Sequence, residues 1–231
     1  MNPPVFAFPL EVVTVPIGDL TLQIRCLRSR DMFASATVVT QRDLYAYVLW
    51  ESAVGLSNRL AAETSLTVGK RVLELGAGVG LPGLVAQALG GQVTQTDYQV
   101  DSLTLCQWNA QQNGLQTNIF QGDWRQWSHA PRYDLIIAAD ILYETALHYY
   151  IERIFHRNLM PGGTIWLADP GRPQALDFVV HLEEHGWQVT IETHSIVPRL
   201  SGDPNPLTPS RDGAVEVTLF QLTRGKGVNA G

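Results

Sequence analysis

At 231 residues, 45% of them hydrophobic and 16% charged, the chain is long enough to bury a sizeable core and too apolar to be disordered. Sixteen Lys and Arg against 22 Asp and Glu leave a net charge of −6 and no basic run, which argues against non-specific nucleic-acid binding. The only cysteines, Cys26 and Cys106, exclude a disulfide framework or a cysteine-rich zinc site and fit a reducing compartment such as the cytoplasm.

The start, MNPPVFAFPL, lacks the basic residues and long apolar stretch of a signal peptide. No segment reaches the roughly 20 apolar residues of a membrane span. Leu10 to Leu27 reads as a β-hairpin, LEVVTVP and LTLQIRCL joined at Ile17-Gly18-Asp19. Thr40-Gln41-Arg42-Asp43 resembles a capping box, and a helix is expected over Gln41 to Ala62 with Leu44, Val48, Leu49, Leu56 and Leu60 on it. That helix would carry Trp50 and cover a sheet face or the mouth of a site. Residues 1–65 are therefore expected to be an N-terminal hairpin and helix appended to a core over 70–223, all in a single domain, with a disordered tail at 224–231.

Arg71 to Leu84, RVLELGAGVGLPGL, organises the rest. RVLEL has the apolar, branched character of a short buried strand. Gly76, Gly78, Gly80 and Gly83 follow, and glycine lets a backbone turn sharply and approach a ligand. Pro82 suits the first turn of a helix expected to end at Gly90-Gly91. Strand, glycine turn and helix together read as a nucleotide-cofactor loop, against the plainer alternative of a tight βα turn. The run also fits the dinucleotide pattern G-x-G-x-x-G. Glu74 counts against a dinucleotide, because a carboxylate at the strand end would repel a pyrophosphate.

Gln92 to Asp97 is a second strand, and Asp97 lies 21 residues after Gly76, where an acid would accept ribose hydroxyls; it could also cap the next segment. A helix over Val100 to Gln112 stops at Asn113-Gly114. A short strand at Thr117–Phe120 leads to Gly122-Asp123-Trp124. Tyr133–Ala139, YDLIIAA, reads as a central buried strand, followed by Asp140-Ile141-Leu142-Tyr143. Then come a helix over Thr145–Leu159, a turn at Pro161-Gly162-Gly163, a strand at Thr164–Ala168 and a helix over Pro173–His185. Strands at Trp187–Ile196 and Ala214–Thr223 flank a polar, proline-rich loop, Pro198–Gly213. The alternation from residue 71 demands an α/β fold, a mostly parallel sheet with helices on both faces. The last two strands, joined only by a loop, should pair as an antiparallel hairpin at the sheet edge.

His181-Leu182-Glu183-Glu184-His185 matches H-x-x-E-H, a zinc-protease pattern. Its position at a helix end, away from the strand ends that carry the glycine loop, favours a structural role and no metal. There is no G-x-S-x-G nucleophile elbow.

Glu74-Leu75-Gly76-Ala77-Gly78-Val79-Gly80, an E-x-G-x-G-x-G run, resembles motif I of the S-adenosylmethionine-dependent methyltransferases with a Rossmann-like seven-stranded sheet. Together with Trp50, Asp97, Asp123-Trp124 and the D-x-x-Y of Asp140–Tyr143, it is similar to one branch of them. That branch holds the protein-lysine methyltransferases and relatives of nicotinamide N-methyltransferase. The resemblance covers nearly the whole chain, with residues 1–9 and 224–231 outside it. In relatives the tryptophan is often followed by proline; here Glu51 follows. The resemblance implies that Glu74, Gly76, Gly78 and Gly80 hold the methionine part of S-adenosylmethionine. It implies that Asp97 holds the ribose with Tyr98 beside the adenine, that Asp123 bonds the adenine amino group and that Trp124 packs on the ring. Ala139 and Asp140 would line the exit, Asp140 orienting an incoming ammonium and Tyr143 packing on its stem. Trp50 and Trp124 could equally be core residues. The implied activity is N-methylation of a protein lysine. The alternatives are a small-molecule amine as acceptor, or a non-catalytic cofactor-binding module that regulates a partner. The acceptor and the oligomeric state are not legible.

Overall fold

The computed structural model of the chain describes residues 9–27, 44–198 and 213–225. β1 (Leu10–Ile17) and β2 (Leu20–Leu27) form the expected antiparallel hairpin. They are followed by α1 (Glu51–Ala62), β3 (Arg71–Leu75), α2 (Leu81–Ala88), β4 (Gln92–Asp97), α3 (Val100–Gln112) and β5 (Asn118–Gln121). The chain continues with β6 (Tyr133–Ala139), α4 (His148–Asn158), β7 (Leu159–Asp169), α5 (Pro173–Glu184), β8 (Trp187–Ile196) and β9 (Val215–Arg224).

β3 to β9 make one seven-stranded sheet in the order β5-β4-β3-β6-β7-β9-β8. The first five strands are mutually parallel, and β9 runs antiparallel to both β7 and β8. Parallel strands buried on both faces need apolar residues at successive positions. Val72, Leu135 and Ile137 accordingly point to one core, built with α1, α2 and the β1–β2 hairpin. Leu73, Ile136 and Ala138 point to the other, built with α4 and α5.

Among the described residues, the free edge of β2 is paired by side chains. Asn109 of α3 and Asn113, the C-cap of that helix, each accept from and donate to its backbone, at Arg25 (2.8 and 3.2 Å) and Gln23 (2.8 and 2.9 Å). Each carboxamide mimics a peptide group, so the edge keeps its backbone polar groups paired.

Two elements differ from expectation. The helix over Gln41–Ala62 is not continuous. Residues 44 and 45 are helical, the chain turns at 46–48, and Trp50 is the extended N-cap of α1 (ψ 149). Leu44, Val48, Leu49, Leu56 and Leu60 are all buried, but the first three are buried by the turn. The Pro161-Gly162-Gly163 turn lies inside β7, as a register shift where Tyr133 pairs with Leu159 and Leu135 with Thr164. The last two strands form the expected antiparallel hairpin at the sheet edge, with β8 outermost. The capping box at 40–43, nearly all of the 198–213 loop and the tail beyond 225 lie outside the described residues.

Candidate active site

The carboxyl ends of β3, β4, β6 and β7 face the same way, and the residues singled out from the sequence cluster there. After β3 the backbone passes through Gly76, Gly78 and Gly80 with φ of 63, 54 and 87°, left-handed values that a side chain would strain. A Cβ on Gly76 would also stand 2.8 Å from Ile141 Cγ2, and one on Gly78 3.3 Å from the Ala46 carbonyl oxygen. The loop is a bare backbone cradle between the β6 end and the segment leading into α1.

Glu74 lies beneath that cradle and does not line it. Its Oε1 accepts from Gly83 N–H at 3.1 Å and its Oε2 from Gln95 Nε2 at 2.7 Å, and the side chain is buried. Gly80, the N-cap of α2, has no side chain to cap the helix, so Glu74 supplies the missing acceptor from the strand below. Burial raises its carboxyl to about 7, against the pull of those two bonds. In the structure its carboxyl therefore supports the loop.

Asp97, at the end of β4, is buried beside the loop. Its Oδ2 accepts from Gly78 N–H and Ser102 Oγ, each at 3.1 Å, and its Oδ1 from Gln99 N–H at 3.0 Å. Burial raises its pKa despite these bonds. It thus ties the glycine loop to the turn into α3. Tyr98 beside it is exposed, and its hydroxyl accepts from Gln99 Nε2 at 2.8 Å. Asp123 caps the short 3₁₀ turn Trp124–Gln126 and binds Arg125 through both oxygens, which lowers its pKa. Trp124 reaches the loop: its Cζ2 lies 3.5 Å from where a Gly76 Cβ would be.

Ala139 ends β6 half-buried, and Asp140 follows with φ 59°, the one positive non-glycine value among the described residues. Asp140 N–H donates to Ala168 O at 2.9 Å, which holds this left-handed turn against β7. Tyr143, half-exposed, stacks on Tyr45 (centroids 6.3 Å), and Tyr45 stacks on Trp50 (5.6 Å). Trp50 Nε1 donates to Tyr45 O at 3.0 Å. The structure therefore places Trp50 in one row with Tyr45 and Tyr143, at the D-x-x-Y end of the site.

Sequence reasoning missed Tyr45, Gln95, Ser102, Asp169 and Arg172. Only Asp169 carried a signal: an acid ending a strand ahead of a Pro-Gly turn, the same placement as Asp97 and Asp140. The H-x-x-E-H histidines point elsewhere. His181 Nε2 lies 3.1 Å from Glu152 of α4, and His185 Nδ1 bonds the His181 carbonyl. A cleft of about 410 Å³ lined by Trp124, Trp127, Tyr150, Arg153 and Arg157 opens beside the site without including the glycine loop.

The sequence model of the family described as lysine methyltransferase matches residues 39–183, more than half of the chain. The chain belongs to this family. Over 203 residues it is 29% identical to protein N-terminal and lysine N-methyltransferase EFM7 of Eremothecium gossypii, covering 77% of each chain. It is 32% identical to EEF1A lysine methyltransferase 3 of Mus musculus, over 54% of this chain and 56% of that protein. It is also 32% identical to a histidine protein methyltransferase 1 homolog of Dictyostelium discoideum, over 53% of this chain and 42% of that one. The matched region thus spans about half the length of the last two relatives. The fold matches the T. thermophilus 16S rRNA N2 G1207 methyltransferase, solved with AdoMet and guanosine, at TM-score 0.62 and 16% identity, covering 97% of this chain and 52% of that one. That likeness shows the fold alone.

As a family member this methyltransferase uses S-adenosylmethionine, and the site has the features such a ligand needs. It offers a cradle that a Cβ would fill, acids at two adjoining strand ends, and an indole against the loop.

Proposed function

We propose that this methyltransferase transfers the methyl group to the side-chain nitrogen of a lysine presented by a protein. The observation that carries the reading is the mouth at the end of β6. There an acid held in a strained turn, Asp140, stands three residues from Tyr143, in a row of three aromatic rings beside the bare glycine loop. A lysine side chain is a cation on a flexible alkyl stem. Carboxylate and ring faces attract the cation, and the rings also pack on the stem. Tyr45, Tyr98 and Tyr143 are each 44–55% exposed, which gives an open rim suited to an acceptor on a macromolecule and not the enclosed pocket of a small molecule.

Gly76, Gly78 and Gly80 would hold the methionine part, Asp97 the ribose, and Tyr98 and Trp124 the two sides of the ring. Glu74 would act through the loop, and Asp123 through the turn that carries Trp124. Bound there, S-adenosylmethionine supplies a methyl whose bond to sulfur breaks as the bond to the acceptor nitrogen forms. The chain's part is placement and electrostatics: Asp140 orients the ammonium, Tyr143 and Trp50 confine its stem, and the proton leaves to water through the open rim.

Among the described residues no helix is long and apolar enough to cross a membrane. Cys26 and Cys106 are both buried and not joined in a disulfide, which supports a reducing, cytoplasmic setting. We also read the chain as one domain, because both cores share a single sheet.

The test has two arms. S-adenosylmethionine should raise the melting temperature and NAD should not. With tritiated S-adenosylmethionine and a cell extract, label should appear on lysine in a protein band and be lost with Asp140→Ala. Label confined to small molecules would overturn the protein reading.

A further inference from the structure

At the carboxyl ends of β6 and β7 two acids share one arginine. Asp169 closes β7 and is fully buried. Arg172 N–H donates to its Oδ1 and Arg172 Nη1 to its Oδ2, both at 2.8 Å. The loop between them is Pro170-Gly171, with Gly171 at φ 82°, and Pro173 starts α5 immediately after. The guanidinium is thus held at both the backbone and the tip. Asp140 approaches it from the neighbouring strand, its Oδ1 2.6 Å from the same Nη1. The pair is an ion pair, and among the described residues that buried oxygen has no well-aligned hydrogen bond. Two carboxylates face one guanidinium, leaving one negative charge in a site that excludes most water.

We propose that Asp169 is a positioning residue for the acceptor: it captures Arg172 so that the guanidinium only partly neutralises Asp140, leaving an acceptor oxygen and a net negative charge for an alkylammonium. The inference rests on the lysine reading above. Without Asp169, the fork of Arg172 is released to pair bidentately with Asp140, the strongest geometry available to both. Asp140 would then be quenched although still present. The charge arithmetic makes the idea testable. Asp169→Asn leaves a neutral Asp140–Arg172 pair. Asp169→Asn with Arg172→Gln leaves Asp140 alone and restores the single negative charge. Arg172→Gln alone leaves two.

The probe is n-butylammonium chloride, a mimic of the lysine side chain, titrated by intrinsic fluorescence into the full chain saturated with S-adenosylhomocysteine. Potassium chloride serves as the ionic control. Wild type should bind the amine saturably. Asp169→Asn should bind it about tenfold more weakly or worse, the scale of one charge-assisted hydrogen bond. The double variant should return to within about threefold of wild type, and Arg172→Gln should bind more tightly than wild type. Calorimetry should show S-adenosylhomocysteine affinity unchanged in all four proteins. A merely structural role predicts the double variant to be worse than the single one. Equal amine affinity in Asp169→Asn and wild type, or no recovery in the double variant, overturns the proposal. If Asp169→Asn does not fold, weaker amine binding by Arg172→Gln overturns it instead. If wild type labels lysine in extract while these variants bind the amine alike, only this inference fails. If wild type labels no lysine, the reading beneath it fails as well.

Discussion

Glu74 is held between two opposing effects. Burial favours its protonated form, and the Gly83 N–H and Gln95 amide favour the carboxylate; burial wins, leaving its pKa at about 7 against an ordinary 4.5. Between those two values the folded chain holds a proton that the unfolded chain has lost. The contribution of Glu74 is therefore fully present below pH 4.5 and is lost as pH rises through about 7. Urea titrations from pH 5 to 8 should show the wild type losing stability relative to Glu74→Gln, whose curve has no such slope. Parallel curves would remove Glu74 as the source. Asp97 is tested differently because its oxygens already serve the protein. Asp97→Ala strips the acceptor from Gly78 N–H, Gln99 N–H and Ser102 Oγ. It should cost about 1–3 kcal/mol of stability and weaken S-adenosylmethionine by a similar amount if the ribose uses the remaining lone pairs. Calorimetry well below the variant's melting temperature separates the two effects. Unchanged affinity there would take Asp97 out of the ribose contact. That these acids sit at the site was legible in the sequence, since each ends a strand. What their oxygens bind was not, because Gln95, Ser102 and Arg172 lie far away in sequence or carry no pattern.

At the level of elements, the strands were the most legible part. β6 matches the apolar run Tyr133–Ala139 residue for residue, because a strand buried on both faces leaves no ambiguity of period. The segment before α1 was the least legible. Leu44, Val48 and Leu49 fit a helical spacing, and neither glycine nor proline marks the break. The one local cue is Glu51, an acid in the first turn of the true helix. The break has a consequence for function. By turning at 46–48 the chain lays the Ala46 carbonyl against Gly78 and brings Tyr45 between Trp50 and Tyr143, which a continuous helix would not do. On the proposed reading, the ring of Tyr143 is the part in use. Tyr143→Phe keeps the stack and should leave label transfer within about threefold of wild type. Tyr143→Ala removes about 0.5–2 kcal/mol of attraction for a cation and should cost about two- to thirtyfold in transfer rate at limiting acceptor. A Tyr143→Phe variant as impaired as Tyr143→Ala would shift the role from the ring face to the hydroxyl.

Across the whole molecule, the sheet rests on β9, the last strand in the chain but an interior one in space. Chain order predicts that the last two strands pair, and they do. It does not say which of them meets β7, because hairpin pairing is symmetric in sequence. The burial pattern decides. β9 buries Val215, Val217 and Leu219 in one core and Phe220 and Leu222 in the other, as an interior strand must. β8 is buried at its ends, Trp187 and Ile196, and half-buried or exposed between them, and places Glu192 and His194 along an open edge, polar groups that discourage pairing with another chain. Ile191 of β8 and Phe220 of β9 stand directly opposite each other in register, on the same face of the sheet. Phe220 is fully buried in the second core, whereas Ile191 is 56% exposed. Two large apolar neighbours should therefore behave very differently. Phe220→Ala should cost about 3–5 kcal/mol in urea unfolding, the range for emptying a filled core site. Ile191→Ala should stay within about 0.5 kcal/mol of wild type, as an exposed substitution does. If the two costs were equal, or their order reversed, β9 would not be the interior strand. β8 would then pair with β7, beside the carboxyl end where Asp169 holds Arg172.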